Sequence, residues 1–365
     1  MKKCLIALLI VTFISSVSYC QITKRALFLG NSYTDVNNLP QIIVGIAHSM
    51  GDDLYFEKNV PGGFRFEDHY DNTTSINKIK AGGWDFVVLQ EQSQLPSYPE
   101  NSVQVWVYPY AHLLDSLINA YNNCGETMFY MTWGRKNGDA SNCGWWPPVC
   151  TYEGMDSLLY ERYMKMTNDN NAVVSPVGQV WKYIRQHYPT IELYHPDQSH
   201  PSLSGSYAAA CCFYTCMFKK DPLAITFDNG LPPTDAANIR IAVKNIVYDS
   251  LMKWQVGKYD PVAAFNFVTG TGNEISFINS SVNASNYAWD FGDNNTSADI
   301  NPVHTYTADG IYTVKLTASN YCYRHSTNSN WYLSKSCYGV FVCSDRKYKG
   351  SKYFNVQQHW TKAFI

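Results

Sequence analysis

At Lys258-Tyr259-Asp260-Pro261 the spacing of apolar residues changes period, and this change most constrains how the chain can fold. Before it, short continuous apolar runs alternate with stretches of helical spacing. Runs at 25–29, 84–89, 127–131 and 171–177 read as strands, and another strand is expected just before Asn59. Segments 39–50, 104–121, 153–168, 177–187, 203–218 and 234–254 read as helices. Strands that lack polar alternate positions must be covered on both faces, so this part reads as an α/β unit with a parallel sheet between helix layers. After the change, 263–268, 274–277, 287–291 and 311–317 alternate with period two, which predicts a small all-β sandwich. The expected boundaries are 21–258 for the α/β domain and 259–322 for the sandwich. Segment 323–365 holds seven Lys/Arg and one acid, with strand patterning only at 338–342. It is left without a fold, as a late last strand or an aberrant end.

Residues 1–20 have the shape of a secretory signal: Lys2-Lys3, an apolar run from Cys4 to Ile14, then small residues before an expected cut at Gln21. That run is too short for a spanning helix, which needs about 20 residues. Cys20 would also suit lipid attachment, against which Tyr19 is bulky. No later stretch is apolar and long enough to cross a membrane, so a secreted or cell-surface protein is expected. Export permits disulfides. Cys143 and Cys150 flank a short loop that one could close, whereas Cys211, Cys212 and Cys216 share an apolar helix and read as buried thiols. No Cys-x-x-Cys pair occurs, so structural zinc is not expected.

A hydrophobic fraction of 45% with 16% charged residues excludes a disordered chain. The net charge of −2 gives no global field for nucleic acid. That sum hides unlike parts: residues 21–258 carry 18 basic and 23 acidic groups, and 259–322 carry 1 and 6.

Ser32 lies just past the first strand, in Gly30-Asn31-Ser32-Tyr33-Thr34, where α/β sheets bind ligands. Alone, it reads first as a turn serine or a helix cap. A serine also needs a base, and Asp197-Gln198-Ser199-His200 offers an imidazole three residues from a carboxylate. Other readings of that loop are two solvated histidines, or a metal site of His195, Asp197 and His200. Oxyanion donors could come from Gly62-Gly63 or from the side-chain amides of Gln90 and Gln92. Glu91 is either a neighbour of the site or a strand-end charge. Trp133 and Arg135 follow the third strand, and Arg135 could hold an acidic substrate group. Trp145 and Trp146 could offer a sugar platform or a hydrophobic cover.

Taken in order, Gly30-Asn31-Ser32, Gly62-Gly63, Gln90-Glu91-Gln92-Ser93 and Asp197-x-x-His200 resemble the SGNH (GDSL-like) hydrolase superfamily over roughly residues 24–255. The resemblance implies a three-layer α/β fold, with Ser32 as nucleophile, His200 as base and Asp197 as its partner. It implies an oxyanion hole of the Ser32 amide, the Gly63 amide (or Gly62) and a side-chain amide. The usual asparagine of the third block is absent; Gln92 is the simplest replacement and Gln90 the alternate. The usual GDS start is GNS here. Trp289-Asp290-Phe291-Gly292-Asp293, His304-Thr305-Tyr306 and 310–316 resemble a PKD-type sandwich. Such modules act as spacers or contact glycan or cell-surface protein, and no catalysis is expected of this one.

These readings converge on a secreted serine esterase without metal or organic cofactor. Its expected substrate is an acylated carbohydrate, for instance an acetylated polysaccharide. The rival is a non-catalytic, glycan-binding or adhesive protein that keeps the hydrolase fold. A metallohydrolase using the His195 cluster is a third reading.

Overall fold

The computed structural model describes residues 21–308, 310–322, 330–336 and 339–345. The expected signal segment 1–20 and much of the basic end lie outside the described residues. The chain divides into two compact units between Lys258 and Tyr259.

In the first unit, strands β1 (Thr23–Leu29), β2 (Asp53–Asn59), β3 (Phe86–Leu89), β4 (Glu126–Tyr130) and β5 (Val173–Ser175) form one parallel sheet, ordered β2-β1-β3-β4-β5. The ends of β1 and its neighbours are level, because Leu29 pairs with both Asn59 and Leu89. The chain leaves β1 for β2 on one side and returns to β3 on the other. The β1/β3 edge is therefore the switch point of the sheet, where a crevice opens at the carboxyl ends. Ser32 follows β1, Gly62-Gly63 follow β2, and Gln90 follows β3.

The helices are α1 (Ser32–Asp35), α2 (Leu39–Ser49), α3 (Phe66–Asp71), α4 (Thr73–Ala81), α5 (Glu100–Trp106), α6 (Tyr108–Tyr121), α7 (Tyr152–Asp169), α8 (Val177–His187), α9 (Leu203–Phe218) and α10 (Pro233–Ile246). Helices α2, α8, α9 and α10 pack together as one layer, and α3, α4, α5, α6 and α7 as the other. Between them Leu27, Phe28, Leu29, Val87, Leu89, Phe129 and Val174 are fully buried, as continuous apolar strands require.

Three local features differ from the sequence reading. The expected helix 104–121 is two helices broken at Val107, because Pro109 lies in the first turn of α6 and cannot continue a preceding helix. The expected helix 234–254 ends at Ile246 and continues as a 3₁₀ run over Tyr248–Trp254. There the Trp254 indole donates to the Ile246 carbonyl at 2.7 Å, satisfying an acceptor that the helix end leaves open. Helices α3 and α4 were not anticipated. They are short and largely polar, and their sequence signal is capping: Asn72 accepts from the Ser75 amide at 3.0 Å, and Asp68 from the Arg65 amide at 2.9 Å.

The second unit is antiparallel throughout. Strands β6 (Phe265–Thr269), β7 (Glu274–Asn279), β8 (Asn286–Asp290), β9 (Thr296–Ser297), β10 (Val303–Thr305), β11 (Ile311–Ser319), β12 (Asn330–Ser336) and β13 (Gly339–Asp345) form sheets β10-β7-β6 and β13-β12-β11-β8-β9. Phe265, Phe277, Trp289, Phe291, Tyr306 and Leu316 form its core. The Trp289 indole donates to the Asp299 carbonyl at 2.9 Å and the Tyr306 hydroxyl to the Phe291 carbonyl at 3.0 Å. Strands β12 and β13 lie within the stretch that carried no fold assignment. Segment 330–336 is rich in Ser, Asn and Lys, which weakens any strand signal before its pairing to β11 and β13 is known.

Among the described residues no helix is long and apolar enough to cross a membrane.

The close approach of α8 to the segment just after β4 gives a stability prediction. A Cβ on Gly178 would sit 2.2 Å from the Thr132 carbonyl oxygen, a backbone atom that cannot swing aside. Gly178→Ala is expected to lower the unfolding free energy by about 1–3 kcal/mol, the usual range for overpacking. Gly62→Ala, whose Cβ would meet nothing within 4 Å, serves as the control in the same urea titrations.

Candidate active site

Ser32 opens α1, directly after an Asn31 in extended conformation whose Oδ1 accepts from the Tyr33 amide at 3.2 Å. Ser32 Oγ lies 2.8 Å from His200 Nε2, and His200 Nδ1 lies 2.5 Å from Asp197 Oδ2. Burial pushes the Asp197 carboxyl up. The Ser199 amide, the His200 imidazole and the His200 amide outweigh it and hold the group down at about 2. Both amides reach Asp197 Oδ1 at 3.0 Å. An ionised carboxylate only accepts, so His200 donates from Nδ1, and its Nε2 lone pair faces the Ser32 hydroxyl.

The loop that carries this pair closes on itself. His195 and His200 are bridged by a backbone bond of 2.8 Å, and Gln198 takes a left-handed φ of 63° to let the chain turn. Ser202 then caps α9 by accepting from the Gly205 amide at 3.1 Å. The His195 side chain is exposed, and its Nδ1 lies 3.9 Å from the same Asp197 oxygen. Among the described residues no three His, Cys, Asp or Glu groups are arranged to hold a metal ion.

Trp133 corrects an expectation. As a substrate contact it would need a free face, but it is 0% exposed. It stacks on Trp181 at 3.7 Å and on Tyr33 at 4.8 Å, and its indole N–H donates to the Ser199 carbonyl at 3.1 Å. Tyr33 in turn lies edge-on to His200 at 5.3 Å, with its hydroxyl 2.6 Å from Ser199 Oγ. The residue after the serine and the residue before the histidine are thus tied together.

The oxyanion candidates separate as well. Gln90 is fully buried and its side chain faces the Ser32 turn, but both its N–H groups are engaged, with Asn31 Oδ1 at 2.9 Å and the Glu91 carbonyl at 2.5 Å. As an alternate side-chain donor Gln90 is therefore corrected: it is a brace. Gln92 bends into its own turn, accepting from the amides of Gln94 and Leu95 and donating to Gln94 Oε1 at 3.2 Å. Gly63 has a φ of 74°, and its neighbour Phe64 accepts from Asn31 Nδ2 at 2.9 Å. This bond brings the Gly62-Gly63 turn to the Ser32 turn.

Glu91 is 0% exposed and so is no surface charge. Burial raises its carboxyl to about 8, against the opposing pull of the Gln92 and Phe66 amides and Arg65. His69 had no signal in the sequence. It is buried, with Nε2 2.9 Å from the Gly30 carbonyl and Nδ1 2.8 Å from Ser75 Oγ. Burial holds its imidazole down at about 4.

Beyond β4, the segment up to the Cys143–Cys150 disulfide gathers around Asp139. That buried carboxylate accepts from Gln94 at 2.6 Å, Asn142 at 2.6 Å and Arg135 at 3.0 Å. One arm of Arg135 is thus fixed inside the loop. Trp146 is half-buried, with its indole on the Ser97 carbonyl at 2.9 Å, and acts as a cover. Trp145 is 53% exposed, set edge-on to Tyr98 at 5.4 Å. Cys211, Cys212 and Cys216 are free, buried thiols.

His69 makes stability depend on acid. Below pH 6.5 the unfolded chain takes up a proton that the buried ring refuses, so this stabilisation is complete above 6.5 and lost as pH falls toward 4. Between pH 7 and pH 4 the wild type is expected to lose about 3 kcal/mol more than His69→Gln. Urea midpoints at both pH values check this, and equal losses in the two proteins would contradict it.

Comparison with known proteins follows the same division. The family model for the PKD domain matches residues 261–330. No curated protein matches the chain. A DUF4886 family protein from Bacteroides uniformis is similar in structure with a TM-score of 0.54 at 15% identity, over 63% of this chain and 95% of that one. At that identity the likeness is one of fold. A candidate SGNH hydrolase from Slackia heliotrinireducens aligns at 24% identity and a TM-score of 0.43, over 53% of this chain and 97% of its own. The PKD1 domain of Vibrio anguillarum Epp aligns at 28% identity and a TM-score of 0.17, over 23% of this chain and 92% of its own. Residues 261–330 are a PKD domain, and the unit before it is a parallel α/β domain whose similar solved structures include SGNH and GDSL-like hydrolases.

Proposed function

We propose that this protein is an exported serine esterase that works by acyl transfer. The observation that carries the reading is the unbroken line from Ser32 Oγ to His200 Nε2 at 2.8 Å and from His200 Nδ1 to Asp197 at 2.5 Å. Ser32 Oγ attacks the ester carbonyl while His200 Nε2 takes its proton. The carbonyl oxygen becomes an oxyanion, received by the amides of Ser32 and Gly63. His200 returns the proton to the departing alcohol. A water then attacks the acyl-serine, His200 acts again as base, and the carboxylic acid leaves. Asp197, ionised at neutral pH, keeps the proton of the neutral imidazole on Nδ1 and supports the imidazolium when it forms.

The substrate reading is an acylated carbohydrate, with acetyl as the expected acyl group. The exposed face of Trp145, fixed by Tyr98 and by a 2.9 Å bond from its indole to Asn142, suits a pyranose ring. A PKD domain is compatible with work at a cell surface or on a glycan.

Purified protein and Ser32→Ala are compared on p-nitrophenyl acetate and acetylated xylan. The variant is expected to lose about 10³-fold or more in kcat, leaving only residual catalysis. A wild type that releases no more acid than Ser32→Ala on either substrate sinks the esterase reading and leaves the adhesive one. Trp145→Ala should raise KM on acetylated xylan about tenfold, the loss of one stacked ring, and leave p-nitrophenyl acetate unchanged.

A further inference from the structure

His69, Gln90 and Glu91 are buried and polar, they bond the Ser32 turn or the segment after Gly63, and they take no part in the proton transfers above. We propose that they form a rigid frame that sets the Ser32 and Gly63 amides for the oxyanion, with His69 as the positioning residue that joins its two limbs. This rests on the reading of Ser32 as nucleophile.

The first limb is the nucleophile turn. The Gly30 amide donates to the Asn59 carbonyl at 3.3 Å, and the Gly30 carbonyl accepts from His69 Nε2 at 2.9 Å. The next amide, Asn31, donates to Gln90 Oε1 at 3.0 Å. The peptide units before the Ser32 amide are thereby held from three sides. The second limb is the glycine turn. Phe64, one residue past Gly63, accepts from Asn31 Nδ2 at 2.9 Å, and the Phe66 amide donates to the Glu91 carboxyl at 3.1 Å. The Phe64 ring stands edge-on to His69 at 5.2 Å, so one imidazole touches both limbs.

Of the two neutral tautomers of His69, the hydrogen bonds allow one. A carbonyl can only accept, so Nε2 carries the proton. Nδ1 then accepts from the Ser75 hydroxyl at 2.8 Å, and Ser75 Oγ accepts from Asn59 Nδ2 at 2.8 Å. The low proton affinity of the buried ring keeps this state at neutral pH. The other neutral tautomer, with its proton on Nδ1, would lose the bond to Gly30, and a protonated ring would reverse the bond to Ser75. An apolar side chain would cover Gly30 but give its carbonyl no donor; the histidine supplies one and, through Ser75, fixes its direction. Donors preset for a developing charge need no reorganisation during reaction, which is where such orientation tells.

The test measures kcat, KM and thermal midpoints on p-nitrophenyl acetate for the full chain, Ser32→Ala, His69→Phe, His69→Gln and Ser75→Ala. His69→Phe keeps a ring against Phe64 but offers Gly30 no donor. Its kcat is expected to fall about 30- to 100-fold per folded molecule, with KM within about threefold. His69→Gln, whose amide nitrogen can take the place of Nε2, should recover most of that loss. Ser75→Ala frees Nδ1 and should lower kcat by about three- to tenfold. A folded His69→Phe with wild-type kcat overturns the frame, as does a lower midpoint with unchanged turnover per folded molecule. If His69→Phe does not fold, wild-type kcat in both His69→Gln and Ser75→Ala upholds only a structural role and overturns the proposal, whereas a lower kcat in Ser75→Ala supports it. A wild type no faster than Ser32→Ala fails differently: it removes the esterase reading and the inference with it.

Discussion

The reciprocal bonds between Asn31 and Gln90 hold the rest of the site in place. The Asn31 amide donates to Gln90 Oε1, and Gln90 Nε2 donates back to Asn31 Oδ1. Each residue sits just past a strand, β1 and β3, on either side of the sheet's switch point. A parallel sheet levels its strand ends but does not orient the turns that leave them. These two side chains make that orientation, and Thr34 Oγ1 adds a third bond to Gln90 Oε1 at 2.9 Å. Asparagine at position 31 also matters in itself. An aspartate there could accept from Gln90 and Tyr33 but could not donate to Phe64, so the glycine turn would lose its tie to the Ser32 turn. The asparagine of Gly30-Asn31-Ser32 thus has a structural use here.

What the sequence made legible follows from burial. Strands covered on both faces must be continuously apolar, and 25–29, 84–89 and 127–131 announced themselves for that reason. The sandwich announced itself through Tyr287, Trp289 and Phe291, whose alternation marks a one-sided core. Ser32, Asp197 and His200 were visible as chemistry near turn residues, and their convergence was a matter of topology that spacing alone could not supply. His69 was invisible because it sits in α3, six residues with little apolar periodicity, and its partners come from the turn after β1 and from α4. Glu91 was seen as a strand-end residue, but nothing local tells a buried end from an exposed one. Trp133 was misread because position at a sheet edge says where a residue is, not whether a second tryptophan covers it.

The same point reframes the aromatic content. Trp133, Trp181, Trp254 and Trp289 are all fully buried, and three of them donate their indole N–H to backbone carbonyls. In this chain tryptophan mainly fills core volume while satisfying a carbonyl that an aliphatic side chain would leave bare. A high count of aromatic residues therefore says little about sugar binding here. What bears on sugar binding is the few exposed rings, of which Trp145 is the one proposed to meet a sugar.

The site is also asymmetric. The Ser32 side is framed by fully buried groups whose polar atoms are matched within the protein. The base side stands open: the side chains of His200 and Asp197 are 33% and 42% exposed. In the proposed reaction the two halves need different things. Attack on the ester needs fixed donors for an oxyanion, which demands a rigid and dry surround. Release of the acyl group needs a water beside His200, which a sealed base could not admit. A base held in place by local backbone bonds and by Trp133 and Tyr33, rather than by burial, can be both oriented and wet. Trp133, bonded to the Ser199 carbonyl and stacked on Tyr33, secures the His200 loop from the protein side and leaves its other side exposed.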